Sequence, residues 1–446
     1  MAAQHSFVAS PAGRSNSVPL GYRWTLAGFL ASAALTLLAV VDFRRGLLFE
    51  AYLLRSPYFA FHAGHIVLLV VWITGLIASY GALKQYEARM GSQSFDTYVK
   101  VLALVLAGLL VADLFTYRGV ATARAAAAGR LGATWTEAFG VTGWLRPLAL
   151  AVSYMLTVWH ATMLGVLLAG LSVIVLPRYL KPLLTRTGLG GSLFGATFAL
   201  PQPFCSCCAA IISPSLAATG ASSQFALAFV VGSPMLNITG LVLAAILLPA
   251  PYALARFLAG LVLAIPVTYG VAWFADRWTG QATAAAPGRL ALWMSQWVDL
   301  YCRLFHLDEL VAGRHTESPA RFLSAWLMTS ARIGLLLIPT LFLLTLATAA
   351  IIQVLPPTFG NNVLGVVLAS IVGTLMMIST WTEIPVSLQL LQAGLSGPAA
   401  TLLVVLPPVS LPCLLILGGA TGRFRVVAML GLAVAATGIV AGLAFL

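Results

Sequence analysis

Charge is what this 446-residue chain has least of: 8% of its residues are Asp, Glu, Lys or Arg, against about 25% in soluble domains. Acid is scarcer than base, with 12 Asp and Glu against 24 Lys and Arg and a formal net charge of +12. Lysine nearly disappears, since 21 of those 24 basic residues are Arg. A basic excess can serve nucleic acid, but these arginines form no patch. They fall between apolar runs, where a membrane protein uses them to fix its topology, so nucleic acid is excluded as a partner. GxxxxGK[ST], HExxH and GxSxG patterns are missing in any fitting context, so nothing in the chain is built to hydrolyse ATP or to act as a soluble hydrolase. Five cysteines, three of them within four residues, do not make a disulfide framework. The first 22 residues lack the basic, apolar and small-residue order of a cleavable signal, so the first helix is expected to stay in the membrane.

Hydrocarbon fills the place of charge. The chain is 60% hydrophobic, with runs of about 20 residues, long enough to cross a core of roughly 30 Å. They fall near 24–41, 57–82, 98–116, 145–176, 225–248, 252–275, 326–353, 399–420 and 426–445. Two further apolar stretches, near 189–218 and 363–393, are interrupted: the first by Pro201, Pro203 and Pro214, the second by the run from Ser379 to Pro385. Proline removes a backbone donor and disrupts a helix. Non-helical backbone at membrane depth is tolerated where protein or a water-filled cavity covers it. Both stretches therefore read as broken or re-entrant hairpins.

The interrupted stretches also repeat one another. A shift of 174 residues pairs Cys205 with Ser379, Ser206 with Thr380, Gly220 with Gly394 and Pro234 with Pro408, and a shorter shift pairs Arg256 with Arg425. Loops 177–187, 276–321 and 421–425 are basic, whereas 249–255 and 354–362 carry no charge. If both interrupted stretches return to the side they left, every basic loop falls inside and both neutral ones outside. Each unit then has three crossings, so the two units are inverted, with hairpin tips meeting near the midplane and the site at their interface. The expected fold is an all-α polytopic bundle: a three-helix portion over 1–144, a first unit over 145–275, a cytoplasmic linker over 276–325 and a second unit over 326–446. The arginines of 117–146 fit this topology badly, and an Ala-rich interfacial helix is the expected remedy.

Four groups of residues carry chemistry. Cys205, Cys207 and Cys208, beside Pro203 and Ser206, offer soft sulfur ligands at a proline-flanked break. Thiolates select soft metals, and trivalent arsenic and mercury favour sulfur for the same reason. Glu383, the only acidic residue after Glu317, is an intramembrane carboxylate, which marks a substrate or proton path. Gly232, Pro234 and Asn237 after the first hairpin, and Pro407, Pro408, Ser410 and Pro412 after the second, loosen helices that can offer carbonyls and half-helix ends to a substrate. His62 and His65 lie one turn apart at the outer end of the second span, a spacing that can hold a metal or a haem, with Asp113 at similar depth. His160 and Arg332 read as lone polar residues at an interface or helix end, and the Gly188–Gly191 run as a close-packing surface.

Over Pro203 to Cys207, Gly220-Ala221, Pro234 and Asn237 the chain resembles a family of bacterial predicted permeases that includes the efflux permeases for trivalent organoarsenicals. The resemblance covers residues 145–446 and implies a duplicated unit. Two departures stand out: Cys208 replaces a residue usually small, and the second motif, often Cys-Ser-Glu, here runs from Ser379 to Glu383 without the cysteine.

The expected function is a permease of the bacterial inner membrane that moves a small thiophilic metal or metalloid species by proton-coupled efflux. Substrate would meet Pro203, Cys205, Ser206, Cys207, Cys208, Gly232, Pro234, Asn237, Thr380, Glu383, Pro408 and Ser410, with Glu383 as the proton-coupling group and the soft species as substrate rather than cofactor. The bilayer and a small molecule or ion are the implied partners, and a homo-oligomer is compatible. Two alternatives stand beside this: a carrier of small anions or sulfur species using Arg256 or Arg332, and a membrane redox or metallo-assembly protein using the cysteines and the His62–His65 pair.

Overall fold

In the computed structural model, residues 18–90, 95–128, 139–179, 181–201, 204–206, 209–210, 212–213, 216, 220–279, 317–354, 360–376, 381, 383–421 and 424–446 are described. Eight helices are long and apolar enough to cross a membrane, and a two-stranded ladder pairing Leu54–Arg55 with Ala60–Phe61 is the strand structure among the described residues. The protein is an all-α, multi-pass membrane protein.

The N-terminal portion holds α1 (Leu20–Arg45), α2 (Ala63–Met90) and α3 (Asp96–Ala128). Gly75 lets α1 and α2 close up, since a Cβ there would stand 2.7 Å from the Ser32 hydroxyl. The expected loop from 117 is a correction: α3 runs on to Ala128, and its last turns use their arginines. Arg124 donates to the Arg45 carbonyl at 2.7 Å and Arg45 to that of Tyr117 at 2.9 Å. In this way the C-terminal end of α1, whose carbonyls lack helical partners, is covered.

The rest forms two series of elements. A long helix comes first, α4 (Arg146–Tyr179), followed by the short α5 (Lys181–Leu184). Then come α6 (Gly188–Ala199), a break, the helix pair α7 (Ser223–Met235) and α8 (Ile238–Leu247), and finally α9 (Ala250–Val262) running into α10 (Thr268–Thr279). The second series is α11 (Pro319–Val354), α12 (Val363–Leu375), a break, α13 (Glu383–Gln392), α14 (Ser396–Val405), α15 (Leu411–Thr421) and α16 (Phe424–Leu443). Gly220 and Gly394, 174 positions apart, adopt φ of 85° and 77°. No atom outside the local chain lies within 4 Å of a Cβ built at either, so the left-handed backbone itself is what asks for glycine.

The span expected over 399–420 is not one helix. Pro407 and Pro408 lie between α14 and α15, where the chain forms turns rather than helix. The span over 225–248 is likewise two helices, meeting at Asn237. The helix from 250 to 279 contains a π-turn at Leu263–Val267 around Pro266, a feature with no periodic sequence signal. Pro234, Pro266 and the Pro407–Pro408 pair thus accompany real discontinuities, as a missing donor allows, whereas Pro339 lies inside the unbroken α11.

Buried clusters join the two series. Trp381 of the second break and Ile384 of α13 share a buried cluster with Leu243, Ala244 and Leu248 of α8 and its end. Phe204 at the first break and the helical Ala209, Ala210 and Ile212 just after it belong to the largest cluster, which also takes in residues of α1, α3, α4, α7, α11 and α15. The N-terminal portion is tied in by polar contacts. Glu87 of α2 accepts from the Ser318 hydroxyl at 2.6 Å and the Ala320 N–H at 2.9 Å, capping α11 where a carboxylate complements the helix dipole.

Candidate site at the broken helices

The second break ends in Glu383, the first residue of α13, with its side chain 1% exposed. Burying a lone carboxylate costs several kcal/mol, and three features offset that cost. Glu383 Oε2 accepts the Trp381 N–H at 2.7 Å. The carboxylate stands at a helix N-terminus, where negative charge is favoured. Its Oε1 lies 2.8 Å from Nη2 of Arg256, itself 0% exposed. No directed hydrogen bond reaches Oε1 among the described residues, so that last contact is one of charge. Trp381 holds φ at 90°, a left-handed conformation unusual for a bulky residue and typical of functional turns.

Arg256 sits in the second turn of α9 and ties the broken elements together. Its Nη2 donates to the Pro234 carbonyl and its Nη1 to that of Leu403, both at 3.3 Å. Pro234 precedes the α7–α8 break and Leu403 lies in the last turn of α14. Asn237 shapes the same region: its side-chain oxygen accepts the Gly240 N–H at 2.7 Å, capping α8, while its amide donates to the Pro234 carbonyl at 2.9 Å. One carbonyl freed by the helix break is thus shared by an amide and a guanidinium. From α3, the Arg118 guanidinium lies 4.6 Å from the Trp381 ring centre, within range of a cation–π contact.

Of the other residues expected in the site, Gly232 and Pro234 are buried in α7. A Cβ at Gly232 would meet the Ala199 Cβ at 3.1 Å, so this glycine serves the α6–α7 crossing rather than a loosened helix. Pro408 and Ser410 are buried between α14 and α15. At the first break Ser206 is buried and Cys205 half-buried. The Cys205 carbonyl accepts the Ala209 N–H at 3.1 Å, and Phe204 packs edge-on to Phe229 of α7. Pro203, Cys207, Cys208 and Thr380 lie outside the described residues.

The histidines are arranged differently from expectation. His65 pairs with Asp42, not Asp113, through Nε2 at 2.5 Å, and its Nδ1 accepts the His62 N–H at 3.0 Å. Asp42 in turn takes the N–H groups of Leu47 and Leu48. His62 stacks on Phe49 at 4.0 Å between ring centres, and its Nδ1 accepts the Gly64 N–H. Asp113 instead meets His160 at 3.1 Å in a pair 2% and 0% exposed, so His160 is no lone helix-end residue. Among the described residues no three His, Cys, Asp or Glu side chains converge as metal ligands would.

The part of the site missed from sequence is Arg256 as the partner of Glu383. A signal existed. Arg256 is the only charged residue between Arg186 and Asp276, and Glu383 the only one between Arg332 and Arg423. Two opposite charges, each alone in a long neutral stretch, have each other as natural partners, because an unpaired charge in an apolar interior is far costlier than a paired one.

Residues 144–445 match the family ArsP_1, described as "Predicted permease", and the chain belongs to that family. It is 30% identical over 346 residues to UPF0718 protein YraQ of Escherichia coli (strain K12), a match covering 76% of this chain and 92% of that protein. That coverage exceeds the family match and so reaches into the portion before residue 144. A shorter match, 31% identical over 116 residues, joins it to UPF0718 protein MJ0584 of Methanocaldococcus jannaschii, covering 24% of this chain and 32% of that protein. No solved structure matches. The protein is a membrane permease and not a member of an enzyme family.

Proposed function

We propose that this permease moves a small thiophilic metal or metalloid species, of which trivalent organoarsenicals are the type, across the bacterial inner membrane in a proton-coupled step. The two series act as inverted units, and substrate passes between their breaks. The observation that carries the reading is the buried Arg256–Glu383 contact at 2.8 Å, which joins one unit's last helix to the other unit's break. Cys205 supplies sulfur from the first break, with Cys207 and Cys208 as the further ligands. Glu383 takes up and releases the proton. In the ionised form it is held by Arg256 and the Trp381 N–H, and a proton replaces that hold and changes how the second hairpin is restrained. Neutral carboxylate and intact pair are then two discrete arrangements, as a rocking transporter requires.

Cells lacking their own arsenical exporters test the substrate class. Wild-type protein should protect them from phenylarsine oxide, and Cys205→Ser combined with Cys207→Ser should remove the protection while leaving the amount of folded protein unchanged. Full protection by the double variant would reject sulfur ligation.

A further inference from the structure

A proton on Glu383 takes from Arg256 the one carboxylate that reaches it among the described residues. The guanidinium stays charged, because arginine does not lose its proton in proteins. It also remains poorly matched. Of five N–H donors, the described partners are two carbonyls at the long distance of 3.3 Å and one carboxylate oxygen at 2.8 Å. Nε is buried with no hydrogen-bond partner among the described residues. Asn237 already competes for the Pro234 carbonyl at the shorter distance of 2.9 Å. The charged groups placed around Glu383 are Arg256 from α9 and, across Trp381, Arg118 from α3. Neither its own stretch nor that of Arg256 contains another acid.

We propose that Arg256 is the anion-binding residue of the translocation site, and that the Glu383 carboxylate stands in the substrate's place in the resting protein. The substrate is then a small anion, or a thiophilic species that carries negative charge. It takes the position of the carboxylate when Glu383 is neutralised. This rests on the reading of Glu383 as the proton site. The charge of the buried centre is conserved: one proton enters on Glu383 and one negative charge arrives at Arg256. Proton and anion therefore load the same state and cross together, so an exporter of this kind releases the anion with its proton, along the gradient of the acid. A trivalent organoarsenical meets this requirement as its hydrate, an As–OH acid that leaves its proton on Glu383 and faces Arg256 through the resulting As–O⁻, whereas a thiophile with no proton to give has no place in this cycle.

The test uses the purified full-length protein and Glu383→Gln, which mimics the neutral carboxylate. Formate is the probe, being the smallest equivalent of the lost group, with gluconate at equal ionic strength as the control. Glu383→Gln should melt below wild type and be raised by formate, saturably, by about 2 °C for each tenfold excess over the dissociation constant. Wild type and Arg256→Gln/Glu383→Gln should not respond. Recovery of Glu383→Gln as folded protein in formate buffer alone would support the site equally well. A Glu383→Gln protein indifferent to formate, or unrecoverable in either buffer while the double variant is recovered normally, would overturn it, as would an equal response from the double variant. The proton reading is tested separately by the pH dependence of phenylarsine oxide exchange. Exchange by wild type that does not vary with pH sinks that reading, whatever formate does to Glu383→Gln.

Discussion

The two breaks are entered alike and equipped differently. Each follows a short apolar helix, α6 or α12, and each is succeeded by a left-handed glycine, Gly220 or Gly394, and a broken helix pair. The first carries Phe204, Cys205 and Ser206 among aromatic and aliphatic neighbours. The second carries Trp381 and Glu383, with one guanidinium on the carboxylate and another over the indole. Glycines and prolines set the backbone, and the side chains at the break are left to set the chemistry. One break thus offers sulfur and the other offers charge.

The charged end can be broken most severely by unpairing it. Arg256→Gln or Glu383→Gln alone should destabilise by about 3–5 kcal/mol, since each leaves a buried charge without its partner. The double variant should regain most of that loss in thermal melting. Equal losses in all three would show that packing rather than charge holds the second break.

Arg118→Gln should cost about 1 kcal/mol, the scale of a partly desolvated cation–π contact. It should also raise amide exchange over residues 383–392 and leave α1 unaffected. This variant asks whether the N-terminal portion steadies the charged break. Exchange at α13 equal to wild type would place α3 outside the working site.

Arg425 makes the smallest expected change and the sharpest internal control. It is the counterpart of Arg256 by sequence register, yet it is exposed. Arg425→Gln should therefore change stability by less than about 0.5 kcal/mol. A loss as large as that of Arg256→Gln would mean that the two units are equipped alike after all.

Features made by local chemistry were legible without coordinates. Hydropathy gave most of the spans, Pro234 with Asn237 and Pro407 with Pro408 marked where those over 225–248 and 399–420 break in two, and register paired Gly220 with Gly394. What escaped depends on partners distant in the chain. Arg256 reads as the register partner of Arg425, or as positive charge for an anion, until Glu383, more than a hundred residues away, is brought beside it. His160 looked solitary because Asp113 lies on another helix. Arg118 looked like a misplaced loop charge because nothing local says that α3 continues beneath Trp381. Periodicity reports which face of a helix is apolar, and it is silent on which two polar residues meet.

The central claim, that both breaks belong to one substrate path, is tested most directly by equilibrium exchange of phenylarsine oxide in proteoliposomes, without an imposed gradient. Three proteins are compared: wild type, Cys205→Ser/Cys207→Ser and Arg256→Gln/Glu383→Gln. The account predicts exchange by wild type and a fall to the rate of protein-free liposomes in both folded variants. Wild-type rates in either variant, or no exchange by the wild type itself, would contradict it.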